Sequence, residues 1–177
     1  MRVPDAAFAD PRLAALYDVL EVDRSDLDVY EDLVDELGAT SVVDIGCGTG
    51  SLAVRLAARG MTVIGIDPAG ASLDIARAKP HAGQVTWVHG DATAVAALRP
   101  AADLAVMTGN VAQVFVTDDD WAQTLDAVRL TLRPGGAFVL ESRRIEARAW
   151  ESWNTPETVV EVPGGTSVTV SMRVTQV

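Results

Sequence analysis

The sequence predicts a doubly wound α/β domain, in which a mostly parallel sheet lies between two layers of helices in a three-layer α/β/α arrangement. Short apolar segments alternate with amphipathic ones between residues 40 and 141, and a glycine-rich turn follows the first apolar segment. The apolar segments are also continuous rather than alternating in polarity. Continuous apolar strands are buried on both faces, so helices must cover a parallel sheet on each side.

The predicted strands and helices follow one another in strict alternation. Strands are expected at residues 41–45, 61–66, 84–88, 102–107 and 137–141. Helices are expected at residues 49–59, 69–79, 93–98 and 118–132, each ended by glycine or proline or begun by a capping residue. Two amphipathic helices precede residue 40. We therefore expect N-terminal cap helices at 1–40 and an α/β core at 41–142.

The remaining segment, residues 143–177, has a different pattern. A helix is expected at 145–153, followed by a β-hairpin whose strands join through Pro163-Gly164-Gly165. All three segments are expected to form a single domain. A sheet that ends at its fifth strand has an open edge, which predicts a homodimer.

Composition excludes several classes of partner. The formal net charge is -11 and the isoelectric point is near 4.4, so a phosphate backbone is repelled and a small-molecule substrate is expected rather than nucleic acid. Every apolar run is shorter than the ~20 residues that span a bilayer, which predicts no membrane association. The single cysteine indicates a reducing, cytoplasmic setting, and the two histidines lack metal-ligand spacing.

Acidic residues end the first two predicted strands and follow the third. The stretch DIGCGTG at residues 44–50 joins a strand to a helix, where open α/β sheets bind ligands. Asp67 closes the second strand, and Gly90-Asp91-Ala92 follows the third. Asp67 is placed to bind a ribose diol and Asp91 to reach an adenine amino group, so these residues predict an adenosine site.

The motifs VVDIGCGTG, VIGIDPAGASLDIAR, GDAT and LRPGGAFVLESR occur in this order. In that order they resemble class I S-adenosylmethionine-dependent methyltransferases, which have a Rossmann-like fold. The resemblance covers about residues 40 to 142. It implies S-adenosylmethionine as the cofactor and methylation of a small molecule as the activity.

The resemblance also implies roles for individual residues. The glycine loop would lie under the methionine part of the cofactor, Asp44 would help orient it, and Tyr17 would reach over it. The implied cofactor-binding residues are Asp44, Gly46, Gly48, Gly50, Asp67, Asp91, Ala92 and Thr108. Candidates for orienting or deprotonating the acceptor are Asn110, Gln113, Glu141 and Tyr17, and no metal is expected.

Other interpretations remain open from the sequence. A nicotinamide or flavin dinucleotide also suits an acid about 20 residues after a glycine turn, which would make this an NAD(P)-binding oxidoreductase domain. The Asp44 carboxylate, which would repel a pyrophosphate, and the glycine spacing both argue against it. Family members usually have seven strands, so residues 143–177 supply shortened sixth and seventh strands or begin a truncated substrate-covering lobe. A truncated lobe leaves open a domain that binds the cofactor without catalysis.

Overall fold

The computed structural model describes residues 3–162 and 165–175, in two compact units that divide between Glu141 and Ser142. The first unit contains a five-stranded parallel sheet of order β3-β2-β1-β4-β5. Its strands are β1 (Ser41–Ile45), β2 (Thr62–Asp67), β3 (Val85–His89), β4 (Ala102–Met107) and β5 (Leu132–Leu140). Its α-helices are α1 (Ala6–Ala9), α2 (Pro11–Leu20), α3 (Asp28–Leu37), α4 (Ser51–Ala58), α5 (Gly70–Ala78), α6 (Ala92–Ala96) and α7 (Asp118–Thr131).

The central strand β1 has apolar side chains on both faces. Val42 packs in a cluster with residues of α3 and α4, whereas its neighbour Val43 packs in a second cluster with residues of α6 and α7. Both valines are at most 1% exposed. Helices therefore cover both faces of the sheet, and the predicted α/β fold is confirmed.

The predicted strand boundaries agree with the structure within one residue, except for β5. Its strand begins at Leu132 rather than at residue 137. The register against β4 shifts from Ala102↔Leu132 to Leu104↔Ala137, so the predicted Arg-Pro-Gly-Gly turn forms an irregularity inside the strand. Within this sheet β3 and β5 are the edge strands. The homodimer expected from the β5 edge stays a prediction.

The second unit contains an antiparallel hairpin of β6 (Thr155–Val162) and β7 (Thr166–Met172), as predicted. Pro163 and Gly164, two of the expected turn residues, lie outside the described residues. The helix predicted at 145–153 is wrong: this stretch forms two 3₁₀ turns, Ile145–Ala147 and Ala149–Ser152, separated by Arg148 in the left-handed conformation. The segment buries no side chain, and a helix this short needs packing to be stable.

No helix in the described part of the chain combines the length and apolarity that crossing a membrane requires.

At the amino end of the sheet, away from the glycine turn, the Asp103 carboxylate connects the beginnings of neighbouring strands. Oδ2 of Asp103 accepts the backbone N–H groups of Thr40 (2.8 Å) and Ser41 (3.0 Å), and Oδ1 accepts Arg133 Nε at 2.6 Å. The Arg133 guanidinium and these amides hold the pKa of Asp103 well below its usual range. Asp103 in β4 therefore joins the start of β1 to the beginning of β5.

Replacement of Asp103 by Asn should lower the free energy of unfolding by about 2 kcal/mol near neutral pH, because hydrogen bonds to a charged group are lost. A group with a lowered pKa stabilises the fold above its unfolded pKa and loses that effect as pH falls. The difference between wild type and Asp103→Asn should therefore shrink below about pH 4. Urea unfolding at several pH values measures it. Asp32→Asn, an exposed helical change, is the control, and equal effects of the two changes would contradict the assignment.

Candidate functional site

A cavity of about 490 Å³ lies at the carboxyl ends of β1, β2 and β4. Because β1 pairs with β2 on one side and β4 on the other, the strand order reverses at this point, where open α/β sheets bind ligands. The volume is in the range of small-molecule sites. The sequence-predicted residues that line the cavity are Tyr17, Asp44, Gly46, Gly48, Asp67, Thr108 and Asn110.

The loop between β1 and α4 has a backbone conformation that suits glycine. Gly46 and Gly48 have φ angles of 73° and 54°, in the left-handed region that side chains disfavour. A Cβ on Gly46 would clash with the Val111 side chain, whereas one on Gly48 would meet no described atom within 4 Å. The backbone at Gly48 is therefore open to a ligand in the cavity, and Gly46 is restricted by the protein itself.

Asp44, near the end of β1, is a buried carboxyl group that faces this cavity. It is 1% exposed, and its Oδ1 has no hydrogen-bond partner among the described residues. Burial, reinforced by the Asp67 carboxylate, raises the pKa of Asp44 to about 7, while Arg24 opposes the shift. An ionised carboxyl group in such a place is costly unless a positive charge faces it. The site therefore suits a cationic ligand.

Asp67, at the end of β2, fixes the glycine loop from its other side. Its Oδ2 accepts the N–H of Gly48 at 2.8 Å, and its Oδ1 accepts the N–H of Ala69 at 2.7 Å. Burial raises the pKa of Asp67, and these two amides oppose the shift. A carboxylate oxygen has lone pairs for more than one hydrogen bond, so each Asp67 oxygen can accept a further one. Asp67 can therefore hold the loop and bind hydroxyl groups of a ligand at the same time.

Residues before the sheet close the cavity on one side. Phe8 and Tyr17 both line it, with ring centroids 5.7 Å apart. Arg24 lines it as well, and its guanidinium pairs with Asp26. Of these three residues, only Tyr17 is predicted from the sequence. Neither Phe8 nor Arg24 lies in a glycine motif or at a strand end, so the sequence carries no local signal for their place in the cavity.

The segment after β4 forms the opposite side of the cavity. Thr108 and Asn110 line it, with Asn110 in the left-handed conformation at φ 69°. Glu141 does not line it and acts through a neighbour: its Oε1 accepts the backbone N–H of Asn110 at 2.8 Å. Its Oε2 accepts the hydroxyl of Tyr30 at 3.0 Å. Glu141 is thus placed to position Asn110.

Four other predicted site residues do not line the cavity: Gly50, Asp91, Ala92 and Gln113. A Cβ on Gly50 would lie 2.5 Å from Trp87, so this glycine allows helix and strand to pack closely. Asp91 follows β3 and caps α6 by accepting the N–H of Thr93. The cofactor contacts of Gly50, Asp91 and Ala92 stay predictions, as does a role of Gln113 toward the acceptor.

Comparison with known proteins agrees with this geometry. A family model described as a methyltransferase domain matches residues 42–136. A protein of Geobacillus sp. (strain WCH70) named as a methyltransferase is 55% identical over 49 residues, 28% of this chain and 20% of that protein. An uncharacterized methyltransferase of Mycobacterium tuberculosis is 35% identical over 113 residues, 63% of this chain and 44% of its own length. The chain thus spans less than half the length of these curated relatives.

Solved structures share the fold. A SAM-dependent methyltransferase from Geobacter sulfurreducens, in complex with S-adenosyl-L-homocysteine, superimposes with a TM-score of 0.55 at 21% identity. The match covers 77% of this chain and 61% of that one. At this identity the likeness establishes the fold.

Replacement of Asp44 by Asn should remove a pH dependence of stability. Because the pKa of Asp44 is raised to about 7 in the folded chain and lies near 4 in unfolded chains, the folded state binds the proton more tightly. The wild-type free energy of unfolding should therefore decrease, relative to that of Asp44→Asn, as pH rises from about 4 toward 7. Urea unfolding of the unliganded proteins at about pH 5 and pH 8 measures this difference. Parallel pH profiles of the two proteins would contradict the burial of an ionisable Asp44.

Proposed function

The chain belongs to the methyltransferase domain family, and we propose that it transfers a methyl group from S-adenosylmethionine to a small-molecule acceptor. S-adenosylmethionine, when bound, supplies an electrophilic methyl group on a positively charged sulfur. The residues of this chain bind that cofactor, orient the acceptor toward the methyl group, and exclude water from the cavity.

The buried carboxyl group of Asp44 is the observation that carries the proposal. Its Oδ1 lacks a hydrogen-bond partner among the described residues although it faces a cavity of small-molecule size. The cofactor has both an ammonium group and a sulfonium group, so it would supply the positive charge that offsets the burial of an ionised Asp44. A dinucleotide would instead bring its pyrophosphate near this carboxylate and be repelled.

The adenosine part of the cofactor fits the acids that follow β2 and β3. Asp67 would accept hydrogen bonds from the ribose hydroxyls while it holds Gly48. Asp91 and the backbone of Ala92, which follow the neighbouring strand, would contact the adenine. The open backbone face at Gly48 would lie against the methionine part. These assignments carry the family's motif positions onto the residues that match them.

Transfer from a sulfonium is an in-line displacement, so alignment accounts for much of the expected acceleration. Tyr17, Thr108 and Asn110 line the cavity and would orient the acceptor. Glu141 would act indirectly, by holding the Asn110 backbone. In this arrangement, alignment of the methyl acceptor would contribute more to the rate than deprotonation by any single residue.

The acidic charge of the chain supports a small acceptor. With a formal net charge of -11, the chain repels polyanions, which disfavours DNA and RNA as substrates. A reducing, cytoplasmic setting fits the presence of one cysteine, Cys47, whose pKa is raised by burial and which is therefore kept as a thiol. The chain spans less than half the length of its curated relatives, so the activity of the whole protein is part of this proposal.

Turnover is the test of this proposal. The wild-type chain is incubated with S-adenosylmethionine and separate pools of amines, phenols and carboxylic acids, and with RNA and DNA. Formation of S-adenosylhomocysteine is measured by mass spectrometry. We expect S-adenosylhomocysteine to form faster with at least one small-molecule pool than without an acceptor. We expect no such increase with RNA or DNA.

Asp67→Ala is the matched variant for this assay. Loss of hydrogen bonds to a charged group should weaken cofactor binding by about 1.5 to 3 kcal/mol and lower turnover at limiting cofactor. Asp32→Asn, exposed on α3, should behave as wild type. Cofactor binding without release in any pool would identify a non-catalytic binding domain, and release only with nucleic acid would contradict the small-molecule assignment.

A further inference from the structure

A group of charged and hydroxyl side chains joins the glycine loop, through its cavity-lining residue Thr49, to Asp18 and Lys79, which do not line the cavity. Asp18 on α2 accepts a hydrogen bond from the Thr49 hydroxyl at 2.6 Å and forms an ion pair with Lys79 Nζ at 2.7 Å. The Lys79 ammonium also donates to Thr49 Oγ1 at 3.3 Å and to Ser51 Oγ at 3.0 Å. We call Asp18, Thr49 and Lys79 the Lys79 cluster.

The Lys79 cluster is partly buried. Thr49 is 2% exposed, the Lys79 side chain, which directly follows α5, is 19% exposed, and the Asp18 side chain is 34% exposed. Asp18, Thr49 and Ser51 all lie within 3.3 Å of the Lys79 ammonium. Removing one member of this pair leaves the other charge without its partner. Lys79 is also the single lysine of the sequence.

The cluster connects the glycine loop to the N-terminal helices. Thr49 lies between Gly48, whose N–H is bound by Asp67, and Gly50. The loop is thus fixed by Asp67 on one side and by Asp18 on the other. Asp18 directly follows Tyr17, which lines the cavity. We call the Phe8 and Tyr17 side chains, which both line the cavity, the Tyr17 wall. Asp18 therefore links the Tyr17 wall to the glycine loop.

A second contact fixes the same wall independently. The Phe8 carbonyl oxygen accepts the hydroxyl of Ser72, a fully buried residue of α5, at 3.1 Å. Phe8 in turn packs against Tyr17. Helix α5, with Lys79 directly after its last residue, is thus the common support of both aromatic side chains.

We propose that Asp18 and Lys79 are positioning residues of the cofactor site, which hold the glycine loop and the Tyr17 wall in the arrangement that binds the cofactor. This inference rests on the proposed function. It adds that cofactor affinity is coupled to an ion pair that does not itself line the cavity. By reciprocity, bound cofactor stabilises the Lys79 ion pair by the same factor by which the ion pair strengthens cofactor binding.

The first test measures cofactor affinity in variants of the full chain. Asp18→Asn and Lys79→Met should each raise the dissociation constant of S-adenosylhomocysteine about tenfold, which corresponds to the loss of one strong charged contact. Lys79→Arg, which keeps the charge, should recover most of that affinity. Arg77→Met is the control: it removes an exposed ion pair with Asp74 on the same helix and should leave affinity unchanged.

The second test uses the wild-type chain alone. Because Lys79 is the single lysine, acylation by an amine-reactive ester followed by peptide mapping reports its exposure without interference from other lysines. Saturating S-adenosylhomocysteine should slow acylation of Lys79 severalfold and leave acylation of the amino terminus unchanged. Since this test needs no variant, it stands even where a substitution prevents folding.

The outcomes separate this inference from the proposed function. A wild-type chain that binds no cofactor overturns both. A wild type that binds cofactor, with unchanged affinity in Asp18→Asn and Lys79→Met or with ligand-independent acylation of Lys79, overturns the positioning role alone. Equal losses of affinity in Arg77→Met and Lys79→Met would also overturn the positioning role. Removal of any positive charge at or near the end of α5 would then lower affinity to the same extent.

Discussion

The site depends on a buried carboxyl group near the end of the central strand, one oxygen of which has no hydrogen-bond partner in the part of the chain that the structure describes. Asp44 lies where β1 enters the glycine loop, and burial raises its pKa to about 7. A carboxyl group in this place is largely neutral below its raised pKa, and a cation opposite it favours the ionised form. A ligand with a fixed positive charge favours the ionised form and gains affinity from it. The same burial that costs stability in the unliganded chain therefore supplies selectivity for the ligand.

The topology of the sheet keeps binding and stability at opposite ends. Strand β1 lies between β2 and β4, so the ends of three strands deliver Asp44, Asp67 and Thr108 to one cavity. At the other end Asp103 satisfies the backbone at the start of β1 and anchors Arg133. Because the anchoring contacts lie at the amino end, the loops at the carboxyl end are free to be shaped for a ligand. Glu141, Asp18 and Lys79, none of which lines the cavity, then hold those loops in place.

The sequence predicted those parts of the molecule that depend on local pattern. Continuous apolar runs located β1 to β4 within a residue, and the strand-end positions of Asp44 and Asp67 were sufficient to place them at the cavity. Contacts between distant segments could not be predicted from the sequence: Asp18 and Lys79 form an ion pair but lie 61 positions apart and share no motif. The helix predicted at 145–153 was wrong because a short helix needs packing to be stable and this segment buries no side chain.

Calorimetric titration of the purified wild-type chain with S-adenosylmethionine, S-adenosylhomocysteine and NAD tests whether this cavity binds a cationic adenosyl cofactor. We expect both adenosyl ligands to saturate a single site per chain and NAD to produce no binding heat, because its pyrophosphate would face Asp44. Binding of NAD in preference to the adenosyl ligands, or no binding of any of the three, would contradict the assignment of this cavity to a cationic adenosyl cofactor.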